Sequence, residues 1–470
     1  MLFSSLPFLY YFLPAVLILY FLTPAPGGFP KYRNYMLLLA SLLFYFWGGP
    51  GYFVLLLAQS FLGWGFGLLI EWRRGKRGFK LMLVLALILG LGGLVFYKYT
   101  DFFIGNFNAV FGASVPLLRL VLPIGISFYT FQVLSYDIDL YRGKAAVQRN
   151  PFTFLTYVAL FPPLIAGPII RYTDIEKALY RRPHSFERFG SGARRFVIGL
   201  GKKVLIANVL GELVAVMRDS PERSVLGVWL YLVAYALQIY FDFSGYSDMA
   251  LGLSRIFGFD FLENFNYPYI SKSVTEFWRR WHISLSSWFR DYVYIPLGGN
   301  RVKKARWVLN IMVVWFLTGF WHGADWSFIA WGLYFGLLLL VEKLFLGKVL
   351  LKTPAAVQHI WTMLIVLIGW AFFDAATFGE AVNRLGLMVG AGASSFAGPV
   401  ALYYLRSYAL PLLLGVLGST PLPKRAAAFL LEKGRGLMTV LEPLGVGVLL
   451  LTVTAFLVDG SFNPFIYFRF

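Results

Sequence analysis

Between Val313 and Gly332 the chain reads VVWFLTGFWHGADWSFIAWG, an apolar stretch with His322 near its centre and Asp325 three residues later. Imidazole takes up and returns a proton near neutral pH, which suits it to general acid–base work. An ionisable side chain among residues this apolar is costly, and such a group marks a functional site. A second histidine, His282, stands 40 residues upstream in TEFWRRWHISLSSWFRDYVYIPLGGNR, close to Trp278, Arg279, Arg280 and Arg290. The other two, His184 in RRPHSFER and His359 in AAVQHIW, read as a loop residue and a helix-end residue, and neither is assigned a role. With no cysteine and only four histidines, thiolate chemistry, disulfides and a multi-histidine metal cluster are all disfavoured, and no metal is expected. No P-loop or dinucleotide fingerprint is present.

The elements that must hold these residues belong to a membrane. Of 470 residues, 59% are hydrophobic and only 14% charged, and the mean hydropathy is +0.67. That is too apolar for a chain that must keep a polar surface. An all-α polytopic protein is expected, with clear spans near 6–23, 35–48, 52–70, 81–97, 117–136, 225–243 and 437–458. Weaker or interrupted segments lie near 152–170, 193–217, 307–321, 327–342, 360–373, 381–396 and 399–417. The first segment lacks the charged leader and cleavage site of a signal peptide and reads as a retained helix. No internal repeat and no long hydrophilic block is visible. One integral-membrane domain over 1–470 is therefore expected, with N-terminal helices to about 140, a catalytic core over about 141–345 and C-terminal helices from about 346.

The net charge of +19 is grouped between the apolar segments, as cytoplasmic loops require, and this reading takes precedence over nucleic-acid binding. Nine Lys or Arg fall in 171–203 and eight in 272–306, placing both on the cytoplasmic side. Between the basic loops 142–149 and 171–203, FPPLIAGP (161–168) lacks the amide donors a helix needs, so 152–170 is expected to be re-entrant. The arms 307–321 and 327–341 are 15 residues each, both starting or ending beside cytoplasmic charge. That places His322 at the tip of a hairpin inside the bilayer. Gly319 and Gly323 would let backbone or substrate approach closely, and Asp325 would cap the return helix.

Ten of the fourteen tryptophans fall between Trp278 and Trp370, a pattern that fits an interfacial belt as well as a binding surface. Arg279, Arg280 and Arg290 could grip phosphates or contact anionic lipid headgroups. Gln238, Tyr240, Asp242, Ser244 and Asp248, in QIYFDFSGYSD, could line a reaction chamber, or cap a helix broken at Gly245.

Taken together, WRRWHISLSSWFRDYVYIPLGG and TGFWHGADWSFIAWG resemble the paired signature of the membrane-bound O-acyltransferase (MBOAT) family. LPIGISFYTFQVLSYDIDLYRG, LFPPLIAGPIIRY, QIYFDFSGYSDMALGLSRIFGF and the C-terminal NPFIYFRF resemble its bacterial branch, typified by the alginate O-acetyltransferase membrane subunit, and the likeness runs along almost the whole chain. The resemblance implies about 11 transmembrane helices with re-entrant and amphipathic elements around a central tunnel. It makes His322 the catalytic histidine and puts His282 in the companion position, to orient a reactant or polarise the thioester carbonyl. Trp278, Trp321 or His282 could donate to the developing oxyanion, and the sequence does not choose among them. One position departs from the family pattern: Asp374 follows Phe373 in WAFFDAATF where relatives tend to carry arginine, suggesting an altered partner or substrate contact.

The expected activity is O-acetylation in the bacterial inner membrane. Acetyl-CoA would be the cytoplasmic donor, and an extracytoplasmic serine-hydrolase-like partner would pass the acetyl group to an alginate-like exopolysaccharide. Rivals within the class are D-alanyl transfer to teichoic acid from an acylated carrier protein, and O-acetylation of peptidoglycan. From another class, a lipid-linked sugar transporter could use the histidine as a proton relay, but it should show two similar halves, and none is visible.

Overall fold

The structure is a computed structural model and describes residues 2–460, 462–464 and 466; the remainder of NPFIYFRF therefore lies outside the described residues. The described residues form helices and no strand. Among them six helices are long and apolar enough to cross a membrane, or seven if Pro399–Ser407 and Ala409–Gly418, bent by 61°, make one span. The chain divides into two compact units. One comprises residues up to Phe196 with Met249–Leu262, the other Val197–Asp248 with the described residues from Glu263 onward.

In the first unit, Ile126–Tyr141 is buried along nearly its whole length. A side-chain carbon on Gly63 would lie 2.2 Å from Val133, on Gly67 2.6 Å from Tyr136 and on Gly90 3.0 Å from Leu134, so three glycines let Pro50–Arg73 and Phe79–Phe111 close on it. The expected span at 117–136 is not formed as such: residues 113–123 are irregular and the helix begins at Ile126. Pro116 and Pro123 remove amide donors, Gly125 turns the chain with φ 74°, and the amides of Leu118 and Arg119 donate to the Asp101 carboxylate instead of to a helix. The expected break at FPPLIAGP is present. Helices Pro151–Ala159 and Phe161–Leu164 are both short, and the chain leaves helical geometry before Pro168.

The second unit is built on a helical hairpin, Lys304–His322 and Trp326–Val341. Its arms meet at backbone contact. A side-chain carbon on Gly319 would fall 2.3 Å from the Phe328 carbonyl oxygen, and one on Gly332 would fall 2.3 Å from that of Trp315. Gly319 thus admits the return helix rather than a substrate. The return is longer than its hydropathy suggests, continuing through a π turn at Glu342–Leu346 to Leu350, 25 residues in all. Of the weak segment at 381–396, only Phe378–Met388 is helical.

Ala355–Asp374 packs on the return helix, Gly369 admitting the Phe335 ring, and ends in a charge cluster. The buried Asp374 carboxylate takes Arg218 at 2.5 Å on one oxygen and Arg384 at 2.8 Å on the other, with the Tyr231 hydroxyl also donating to it. This corrects the expectation of a partner or substrate contact: the acid at this position is an internal tie between helices.

Two outcomes are expected from this packing. Gly332→Val should force the hairpin arms apart and lower the Tm in detergent, by about 1–3 kcal/mol of overpacking or more, whereas Gly92→Ala, with nothing within 4 Å, should leave it unchanged. Asp374→Ala leaves the partly exposed Arg218 without its carboxylate and the buried Arg384 with Glu380 alone, and should cost about 1–3 kcal/mol in denaturant unfolding.

Candidate active site

His322 is the last residue of the hairpin's approach helix. Its ring folds back four residues, Nδ1 lying 2.7 Å from the Thr318 carbonyl oxygen. A carbonyl only accepts, so Nδ1 carries the proton and Nε2 bears the lone pair. The rings of Trp321 and Trp331, each at 4.9 Å, and Phe373 at 5.4 Å enclose the imidazole, which is 4% exposed. The turn that follows is tight: a side-chain carbon on Gly323 would lie 2.1 Å from the Phe328 ring. Asp325 then accepts the Ser327 amide at 2.8 Å and caps the return helix, as expected.

His282 occupies the corner between helices Val274–Arg280 and Ile283–Phe289. Its backbone is left-handed, φ 43° and ψ 56°, one of three non-glycine residues with positive φ among those described. Such strain persists only where surroundings enforce it. Here the Ile283 amide donates to the Asn264 carbonyl at 3.0 Å and the Asn266 amide to the Arg280 carbonyl at 2.9 Å. Phe243 meets the ring edge-on at 4.7 Å. Burial pushes the His282 imidazole well below the usual histidine range, and the neighbouring His322 adds to this.

The helix before that corner is held by an acid. The buried Glu342 carboxylate, on the return helix, accepts the amides of Val274 at 2.7 Å and Thr275 at 3.0 Å. This satisfies orphan donors at the start of Val274–Arg280 and fixes the turn bearing Trp278 and Arg279.

Both histidines line one cavity of about 220 Å³. Trp278, Arg279, Arg290 and Lys343 line it too, and Arg290 pairs with Asp291 at 2.7 Å. The Trp278 indole N–H is buried and makes no hydrogen bond among the described residues. Trp321 does not line the cavity but is in ring contact with both imidazoles, at 4.9 and 6.1 Å. Arg280 pairs with Glu276 at 2.8 Å, away from the lining.

The group from Gln238 to Asp248 lies elsewhere. Val225–Ile256 runs unbroken through Gly245, so the reading of a helix broken there does not hold. Gly245 instead admits the Gly199 carbonyl, to which a side-chain carbon would come within 2.8 Å. Asp242 pairs with Lys203 at 2.6 Å and accepts the Ile466 amide, Asp248 pairs with Lys202 at 2.7 Å, and Gln238 and Ser244 are buried. None lines the cavity of the histidines. Tyr240 stands behind the corner, its ring 6.2 Å from Trp281. His184 contacts the Tyr20 hydroxyl at 2.8 Å and His359 the Ser271 carbonyl at 3.1 Å, both outside that cavity. Asn264, Glu342, Phe243 and Thr318 carry the site without having been singled out by sequence reading. The only local signal among them is the four-residue spacing of Thr318 from His322.

Comparison with known proteins identifies the family. The profile of the membrane-bound O-acyltransferase family matches residues 144–378, which include both histidines. A probable alginate O-acetylase of Azotobacter vinelandii is 41% identical over 401 residues, 83% of this chain and 79% of that protein. The peptidoglycan O-acetyltransferase of Helicobacter pylori is 35% identical, covering 83% of this chain and 80% of its own length. The teichoic acid D-alanyltransferase of Bacillus subtilis is 32% identical over 49% of this chain and 61% of its own. The chain is a multi-pass membrane protein and belongs to the membrane-bound O-acyltransferase family of acyltransferases.

Proposed function

We propose that this protein moves an acetyl group from cytoplasmic acetyl-CoA to a hydroxyl acceptor, in the service of O-acetylating an alginate-like extracytoplasmic polysaccharide. The observation that carries this reading is the cavity shared by two imidazoles, in which the Thr318 carbonyl holds His322 with its lone pair on Nε2. A base in that state can take the acceptor's hydroxyl proton as its oxygen attacks the thioester carbonyl. The new C–O bond forms, the C–S bond breaks, and the proton passes from His322 to the departing thiolate. Trp278, whose N–H is buried at the cavity wall, would donate to the carbonyl oxygen as charge develops there. Arg279, Arg290 and Lys343 match the phosphates of the donor.

On this reading the chain works as one integral-membrane domain in the bacterial inner membrane, with about 11 spans arranged around a tunnel. The catalytic core lies at about 141–345, between N- and C-terminal helices. A serine-hydrolase-like partner outside the membrane receives the acetyl group and delivers it to the polymer. The relatives named for alginate and peptidoglycan acetylation support acetyl as the group moved.

The test is turnover of radiolabelled acetyl-CoA by the purified protein in nanodiscs. His322→Ala should lower kcat by about 10²–10⁴-fold with the fold intact. Trp278→Phe, which keeps the aromatic bulk and deletes the N–H, should lower kcat by about 10²-fold, while Lys343→Ala should act mainly on KM. Wild-type turnover by His322→Ala would overturn the assignment. Consumption of an acylated carrier protein in place of acetyl-CoA would transfer the reading to D-alanylation.

A further inference from the structure

The corner that bears His282 contains a second polar side chain that no motif brings forward. Asn264 is fully buried, and its side-chain oxygen lies 3.2 Å from His282 Nδ1, 3.2 Å from the Ser284 amide nitrogen and 2.9 Å from the Ser284 hydroxyl. Its carbonyl oxygen also takes the Ile283 amide at 3.0 Å. One residue thus collects the donors of three consecutive positions, 282 to 284.

The orientation of an asparagine amide is normally a matter of choice between oxygen and nitrogen. Here the Ser284 backbone N–H removes the choice, because it can only donate and would clash with an NH₂ group. The atom facing it is therefore the oxygen. Asn264 Nδ2, on the other side, is buried and makes no hydrogen bond among the described residues, so it exerts no competing pull. The same oxygen faces His282 Nδ1, and an oxygen without a proton can only accept. His282 Nδ1 must then carry the ring's proton, and Nε2 its lone pair.

We infer that Asn264 is the positioning residue of His282, fixing the imidazole as its Nδ1–H tautomer so that His282 meets the reactants as a hydrogen-bond acceptor. Resting on the acyl-transfer reading above, this separates two roles the sequence left open. His282 accepts from a reactant donor other than the attacking hydroxyl, whose single proton goes to His322, and so orients that reactant; it has no Nε2 proton with which to polarise the thioester carbonyl. That donation falls to Trp278. The charged and titratable groups lining the cavity with His282 are His322, Arg279, Arg290, Lys343 and Tyr294, none of them a carboxylate. An acid placed at 264 would put a negative charge at the atom that faces His282 Nδ1.

The experiment has a readout that does not depend on turnover. The full chain is labelled with ¹⁵N-histidine in nanodiscs at alkaline pH; its four histidines give few signals, and His282→Gln identifies the one of interest. The expected spectrum has a protonated Nδ1 and an unprotonated Nε2 at His282. Asn264→Leu should lose that preference, while Ser284→Ala, which keeps the Ser284 amide, should retain it. In acetyl transfer, Asn264→Leu should lower kcat with little change in KM for the donor. Asn264→Asp should recover kcat to within about threefold at alkaline pH, with its acid limb moved upward because a carboxylate favours the imidazolium. A protonated Nε2 in the wild-type spectrum overturns the inference, whether or not the leucine variant folds. So does an Asn264→Asp profile that coincides with wild type. Absence of acetyl transfer by wild type with the expected spectrum would instead count against the activity and leave the tautomer standing.

Discussion

The carbonyl oxygen of Thr318 holds the Nδ1 proton of His322, and much of the second unit serves to keep that arrangement in place. A polar atom withdrawn from water must find its partner inside the protein. In an apolar hairpin, the backbone four residues earlier is the partner always within reach. The Thr318 carbonyl lies one turn inside the helix end, where the Gly323 amide still closes on Gly319, and with two lone pairs it can take a side chain without disrupting the ladder. The ring's direction then depends on the helix being straight and close to its neighbour, which Gly319 and Gly332 permit by bringing backbone against backbone.

The two histidines solve the same problem by different means. His322 uses a main-chain oxygen of its own helix, whereas His282 stands at a strained corner and takes its partner from a loop 18 residues away. Glu342 reaches farther, 68 residues, to hold the start of the helix that leads into that corner. Buried polar groups in this unit therefore act mainly as anchors for elements that carry other residues. Asp374 follows the same rule. Its carboxylate joins Arg218 and Arg384, and the preceding residue, Phe373, forms part of the wall around His322.

Sequence patterns revealed the features that depend on near neighbours. The hairpin, the Asp325 cap and the break at FPPLIAGP all follow from residues within one or two turns of each other. Hydropathy failed where apolar residues are interrupted by proline. The stretch 117–136 has the composition of a span, yet Pro116 and Pro123 deny it the donors a helix needs. Partners chosen by the fold were not legible. Asp374 suggested a partner or substrate contact because Arg218 is 156 residues away, and Asn264 was not singled out because nothing local ties it to His282. The assignment of Asp242 and Asp248 to a chamber overlooked that Lys202 and Lys203 lie opposite them.

The placement of His322 at the carboxyl end of its helix has an electrostatic consequence. Aligned peptide dipoles give that end a partial negative charge, worth about 0.3–1 kcal/mol to a nearby cation and up to about 2 kcal/mol where water is scarce. Under the proposed acyl transfer, once a proton has been taken from a hydroxyl, the macrodipole of Lys304–His322 would stabilise the short-lived imidazolium. A fixed counter-charge would hold the proton. A helix end attracts it weakly enough to let it go.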